Sequence, residues 1–218
     1  MRNIRIAPGE YYHVCNRGIG KQIIFHDIRD YNRFLFLILY LQSLQTLKNI
    51  QRLMENFVQH SVLHVEDEIV SKRVVEIIAF CIMPNHFHLL IKEVEEGGIS
   101  AYMQRVLNAY GKYYNTKYVR TGHVFQGPYR IVHIEDEVQL MHASAYIHRN
   151  PREILKWKDR YEEYPWSSFS DIVENNRWRN LIQPSILLGE EDKFQYRNFV
   201  RTSPSKLYEE EIKFLHNF

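Results

Sequence analysis

The spacing of apolar positions changes along the chain, and each change marks an element. Residues 11–16 (YYHVCN) are rich in strand formers and close on Arg17-Gly18, which predicts a first strand and a turn. Tyr31, Phe34, Leu35, Ile38 and Leu41 or Leu44 then recur at helical spacing behind Asp27 or Asp30, either of which can cap a helix. That helix runs or restarts as far as about His60, and the stretch 42–70 has the least distinct pattern. Residues 74–83 (VVEIIAFCIM) predict a second strand, Pro84-Asn85 a turn, and 87–94 (FHLLIKEV) the returning strand of a hairpin. After Gly97-Gly98, Ser100 can cap a helix whose apolar side is Met103, Val106, Leu107, Tyr110 and Tyr114. Gly122 and Gly127 bracket a fourth β segment reaching about Ile134. Glu135-Asp136 open a helix with Val138, Leu140, Met141, Ala145 and Ile147, and Pro151 stops it. The order β-α-β-β-α-β, followed by a further helix, predicts an α+β fold of ferredoxin-like split βαβ type, an antiparallel sheet with helices on one face. The domain reading is 1–152, with 153–218 a C-terminal helical extension packed on it.

Composition narrows the class. The 218 residues include two cysteines, too few for a disulfide framework or a four-ligand zinc site. The longest apolar run, Phe34 to Leu41, is far short of the ~20 residues that span a bilayer. The opening residues MRNIRIAPGEYY contain no apolar stretch of the signal-peptide kind, so a cytoplasmic protein without a membrane partner is expected. The net charge of +2 says little, but its distribution says more. From Gly97 to Ile134 there is no Asp or Glu, while Arg105, Lys112, Lys117, Arg120 and Arg130 all fall there. A local basic field in a near-neutral chain is the pattern of a phosphate-binding face.

Two constellations carry candidate chemistry. His86 and His88 flank Phe87 at the start of a predicted strand. Alternation sends both imidazoles to one face and the phenyl ring to the other. The bland reading is two solvated histidines, unsurprising among eleven. Tyr146 and Asn150 lie one turn apart on the helix that ends at Pro151, with His142 a turn earlier. Here the bland reading is a helix-end Asn and an amphipathic Tyr. Together the two constellations offer three neutral ligands, His86, His88 and Asn150, and a phenol nucleophile, an arrangement suited to metal-assisted phosphodiester transesterification. Two imidazoles tilt a divalent site of the Mg²⁺ or Mn²⁺ kind toward Mn²⁺.

The sequence resembles the single-tyrosine transposases of the HUH endonuclease superfamily, most closely the REP-associated tyrosine transposases. The residues that carry the resemblance are YYHVCNRG, CIMPNHFHLLI, GHVFQGPYR, YIHRNP and YPWSSF, in that order over about 8–170. It implies that His86 and His88 bind a divalent metal, that Tyr146 is the catalytic nucleophile, and that Asn150 is a third ligand. It further implies single-stranded or hairpin-associated DNA as substrate, a 5′-phosphotyrosine intermediate, and a monomer or homodimer. The stretch 42–73 looks longer than relatives suggest, and the part beyond 170 matches only loosely.

Arg105, Lys112, Arg120, Phe125, Gln126 and Arg130 are the expected DNA contacts. Arg105 and Lys112 suit phosphates, while Arg120, Gln126 and Phe125 suit bases. His142 is the candidate acceptor for the Tyr146 proton; His148 and His13 read as structural. Two rival readings stay open. One is a non-catalytic nucleic-acid-binding module on the same fold; the other is a zinc hydrolase, for which HFHLLIKEV supplies no acidic ligand before Glu93.

Overall fold

The structure, a computed structural model, describes residues 5–46, 52–55, 57, 66–188 and 192–204. Strands β1 (Tyr11–Arg17), β2 (Val75–Met83), β3 (His86–Glu93) and β4 (Arg130–Ile134) form one antiparallel sheet in the order β2-β3-β1-β4. Helices α1 (Ile28–Tyr40), α2 (Glu66–Ser71), α3 (Gly98–Lys117) and α4 (Glu137–Arg149) accompany the sheet. Short helices α5 (Phe169–Val173), α6 (Ser185–Leu188) and α7 (Lys193–Thr202) belong to the C-terminal part. With β1 and β3 central, this is the split βαβ order that periodicity predicts. The expected run or restart toward His60 is seen in part: the chain leaves α1 at Tyr40 and is helical again at 52–55 and 57, while 47–51, 56 and 58–60 lie outside the described residues.

Alternation along the strands makes two cores. Tyr12 and Val14 of β1, and Phe87, Leu89 and Ile91 of β3, face α1 and α3 in one apolar cluster. Phe34 of α1 meets Phe87 with ring centroids 4.8 Å apart. Helices were expected on one face, which holds for α1 and α3. α4 instead covers the opposite face with the extension, where Leu140, Ala143 and Ile147 meet Ile78, Ala79, Cys81, Met83 and Leu90. The reason lies in β2, whose register shifts between Ile77 and Ala79. This bulge turns Ile78 and Ala79 together toward α4, and with Cys81 and Met83 on that side and Ile77, Phe80 and Ile82 on the other, β2 is apolar on both faces and needs two covers.

Local chemistry sets the helix ends. The Asp27 carboxylate accepts the amides of Arg29 and Asp30, so Asp27 is the cap of α1 and Asp30 lies buried inside it. Burial alone would raise the Asp30 carboxyl, but Lys117, Tyr118, the His26 amide and Tyr113 all donate to it and hold it below the ordinary range. α1 stops at Tyr40, and Leu44 is exposed rather than part of its apolar stripe. α3 starts at Gly98, not Ser100: the buried Glu93 carboxylate accepts the Ile99 amide at 2.7 Å. Ser100 lies in the first turn and bonds the Tyr129 hydroxyl at 3.2 Å.

YPWSSF covers the outer edge of β2. The Ile82 amide donates to the Trp166 carbonyl at 2.9 Å, and the Ser168 amide to the Phe80 carbonyl at 3.0 Å. A covered edge cannot pair with another chain.

Candidate active site

The Met83–His86 hairpin brings His86 to the end of β3, and alternation then points His88 to the same side. His88 is fully buried, His86 partly so, and their rings stand perpendicular with centroids 5.0 Å apart. Each has its Nδ1 engaged by a neighbour. The Asn85 amide is oriented by donating Nδ2 to the Lys21 carbonyl, and its Oδ1 faces His86 Nδ1 at 2.7 Å. That oxygen only accepts, so His86 carries its proton on Nδ1 and offers a lone pair at Nε2. Behind His88, Nδ1 meets His13 Nε2 at 2.8 Å. Holding the far nitrogen of an imidazole is how proteins orient a metal-ligating histidine. His13, read from sequence as a plain strand residue, supports His88, and Asn85, read as a turn signal, does the same for His86.

α4 supplies the other half. Tyr146 sets its ring edge against His88 at 5.4 Å and His13 at 6.0 Å. Asn150, at the helix end and only 4% exposed, donates Nδ2 to the Tyr146 carbonyl at 2.9 Å. The amide Oδ1 is thereby turned toward His86 Nε2, 3.4 Å away. His86 Nε2 and Asn150 Oδ1 are directed at each other within hydrogen-bond range, and a neutral imidazole and an amide oxygen so placed could together hold a divalent ion. His86, His88, Asn150 and Tyr146, from two separate segments, are thus brought together.

A second donor set overlaps the first. The ligand atoms of buried His13, Cys15 and His88 lie within 4.8 Å of one another, a further possible divalent metal site. Burial pushes the Cys15 thiol up to about 12 despite nearby Arg130 and Arg17, and the facing nitrogens of His13 and His88 already bond each other. A thiolate ligand there would require the raised Cys15 thiol to ionise.

The expected DNA contacts divide. Arg17, Gln126 and Arg130 line the cleft that also contains His86, with the Arg17 Nε donating to Gln126 Oε1 at 2.7 Å. Arg120 is exposed, donates to Gln22 at 3.0 Å and stacks over Tyr114. Lys112 is exposed on a groove beside the 122–127 loop. Arg105 contradicts its expected role: its guanidinium donates to the carbonyls of Leu41, Ser43 and Gln45, closing the end of α1. Phe125 is also misassigned, being 7% exposed and packed on Phe34, Phe87 and Tyr110. It fills the core, with only a small part of its side chain on the groove beside the 122–127 loop. His142 bonds Ser203 at 2.9 Å and packs on Phe199, a position that serves the docking of α7. His148 is buried between Tyr196 and Ser168, at 2.8 and 3.0 Å, and burial lowers it to about 3. A cavity of about 690 Å³ lies in the extension, lined by arginines paired with carboxylates and by none of these site residues.

The antiparallel split βαβ sheet thus presents His86 and His88 beside Tyr146 and Asn150 of α4. The family "Transposase IS200 like" matches residues 39–150, and the chain belongs to that family of DNA-binding transposases. No curated protein matches. A solved REP-associated tyrosine transposase, bound to a REP hairpin, aligns over 84% of this chain and 88% of its own. The identity is 16% and the TM-score 0.53, a likeness of fold. No described helix is long and apolar enough to cross a membrane.

Proposed function

We propose that this transposase cleaves and rejoins single-stranded, hairpin-associated DNA through a covalent bond to Tyr146. The observation that carries the reading is the convergence of His86, His88 and Asn150 beside Tyr146, with Asn150 Oδ1 and His86 Nε2 3.4 Å apart. A divalent ion of the Mg²⁺ or Mn²⁺ kind, held by His86, His88 and Asn150, would act as a Lewis acid on a phosphate oxygen. The Tyr146 oxygen attacks the scissile phosphorus, the bond from phosphorus to the 3′ oxygen breaks, and that oxygen takes up a proton. The products are a 5′-phosphotyrosine and a free 3′-hydroxyl. Because one phosphodiester replaces another, the 3′-hydroxyl can reverse the step without ATP.

Free phenols titrate near ~10, so the Tyr146 proton needs an acceptor. The imidazoles against its ring are those of His88 and His13, whereas His142 is occupied by the extension. Arg17, Gln126 and Arg130 at the cleft suit the DNA backbone and unpaired bases. Residues 1–152 form the catalytic unit in this reading, and 153–218 an extension that it needs to cover β2.

The test is incubation of the full chain with labelled hairpin DNA and Mn²⁺, followed by a denaturing gel and peptide mapping. A metal-dependent adduct on Tyr146 supports the reading. An adduct on Tyr110, Tyr113 or Tyr114 ends the assignment, and DNA binding with no adduct would leave a binding module.

A further inference from the structure

We propose that the groove between α3 and the 122–127 loop seats an unpaired nucleotide of the DNA strand next to the scissile phosphate. The inference rests on the strand-cleavage reading above. Asn108, Gly111 and Lys112 form one wall of the groove, and Gly122, His123 and Gly127 the other. Its volume, about 330 Å³, is at the small end of ligand pockets, a scale for a nucleotide rather than a helix or a duplex.

Glycine is the telling part of this lining. Gly122 and Gly127 have φ of +87° and +68°, so the loop itself demands them. Gly111 has no such reason. It sits inside α3, outside the positive-φ glycines, and a Cβ added there would meet nothing within 4 Å. A mid-helix glycine is less stable than alanine, and here neither backbone conformation nor a close neighbour in the chain requires it. What it provides is a bare backbone on that wall of the groove. Sites that sacrifice stability in this way are ones where a ligand comes close.

The groove and the cleft that holds His86 are lined by neighbouring residues of one loop. Gln126 lines that cleft, while Phe125 and Gly127 on either side of it line the groove. A strand crossing the loop at Gln126 therefore meets both. No acidic residue lines the groove, and Lys112 is exposed and in no ion pair among the described residues. Lys112 suits the phosphate, Asn108 a base edge, and the exposed His123 ring a base face.

The experiment uses the full chain carrying Tyr146→Phe, so that binding is read without cleavage. The probe is a fluorescent hairpin DNA whose unpaired flank has mixed sequence and carries 5-iodouracil at its thymines. Gly111→Ala should raise Tm and weaken binding modestly. Gly111→Leu should weaken it about five- to a hundredfold, the range for unseating one base. Irradiation should crosslink the flank to residues 108–115 or 122–127. Unchanged affinity in Gly111→Leu, a lower Tm in Gly111→Ala, or crosslinks confined to other segments would overturn the groove. Should Gly111→Leu fail to fold, the alanine variant and the crosslinks decide alone. Neither readout depends on cleavage, so an adduct on another tyrosine would end the Tyr146 assignment and leave the groove result standing, and the reverse holds equally.

Discussion

The two faces of β3 come from alternate positions of one strand, yet they serve different ends. Phe87, Leu89 and Ile91 are fully buried against α1 and α3 and hold the sheet in place. His86 and His88 face α4 and meet Asn150 and Tyr146 there. The apolar face fixes the backbone from which the polar face projects, and donors on a clamped strand are positioned more accurately than donors on a loop. The polar face is less self-sufficient. Each imidazole borrows a partner, Asn85 from the hairpin turn and His13 from β1, to hold its far nitrogen.

That contrast can be broken one side at a time. The largest effect belongs to Tyr146→Phe, which should cut adduct formation by about 10⁴-fold or more, as deleting a nucleophile does, with DNA affinity unchanged. On the other face, Phe87→Ala should lower stability by ~3–5 kcal/mol in a denaturant melt while the folded fraction still forms adduct. Phe125→Ala should behave like Phe87→Ala, since both rings lie in the same core; lost DNA affinity at full stability would restore the base-stacking role. His13→Ala should weaken Mn²⁺ binding about 10- to 100-fold without removing a ligand, measured by calorimetry.

Acid should undo the fold through groups outside the site. His148 titrates at about 3 in the fold and near ~6.5 when unfolded, so the unfolded chain takes the proton first. Its contribution to stability is therefore lost as pH falls from ~6.5 toward 3, by ~1.4 kcal/mol per unit at most. Asp30, held low by its donors, works in the same direction at lower pH, whereas Glu93, raised by burial, opposes it. A pH series of urea melts checks this, and His148→Gln should flatten it. The smallest effect separates the two basic residues of α3. Lys112→Ala should reduce the salt slope of DNA binding by ~0.7–0.9, and Arg105→Ala should leave the slope alone and lower Tm.

Periodicity made the sheet order legible, because alternating and helical spacings are local properties of the chain. It could not reveal which face α4 would take, since the apolar run of β2 offers both faces and reads the same with or without its bulge. At the site, His86-Phe87-His88 and Tyr146–Asn150 were visible as same-face pairs. His13 and Asn85 were not, because their partners are chosen by strand pairing: Cys15 lies opposite His88, and His13 comes alongside only through that register. The acid-free run from 97 to 134 misled in part. Charge in a sequence has no direction, and Arg105 turned inward to the carbonyls of Leu41, Ser43 and Gln45, while Lys117 closed on Asp27 and Asp30.

The central claim is that His86, His88 and Asn150, and not the overlapping set of His13, Cys15 and His88, hold the ion beside Tyr146. A crystal of the protein soaked in Mn²⁺ and measured at the manganese absorption edge tests it directly. The account predicts an anomalous peak within bonding distance of His86 Nε2, His88 Nε2 and Asn150 Oδ1, with the His13–His88 hydrogen bond intact. A peak between His13, Cys15 and His88, with Asn150 uninvolved, would contradict it.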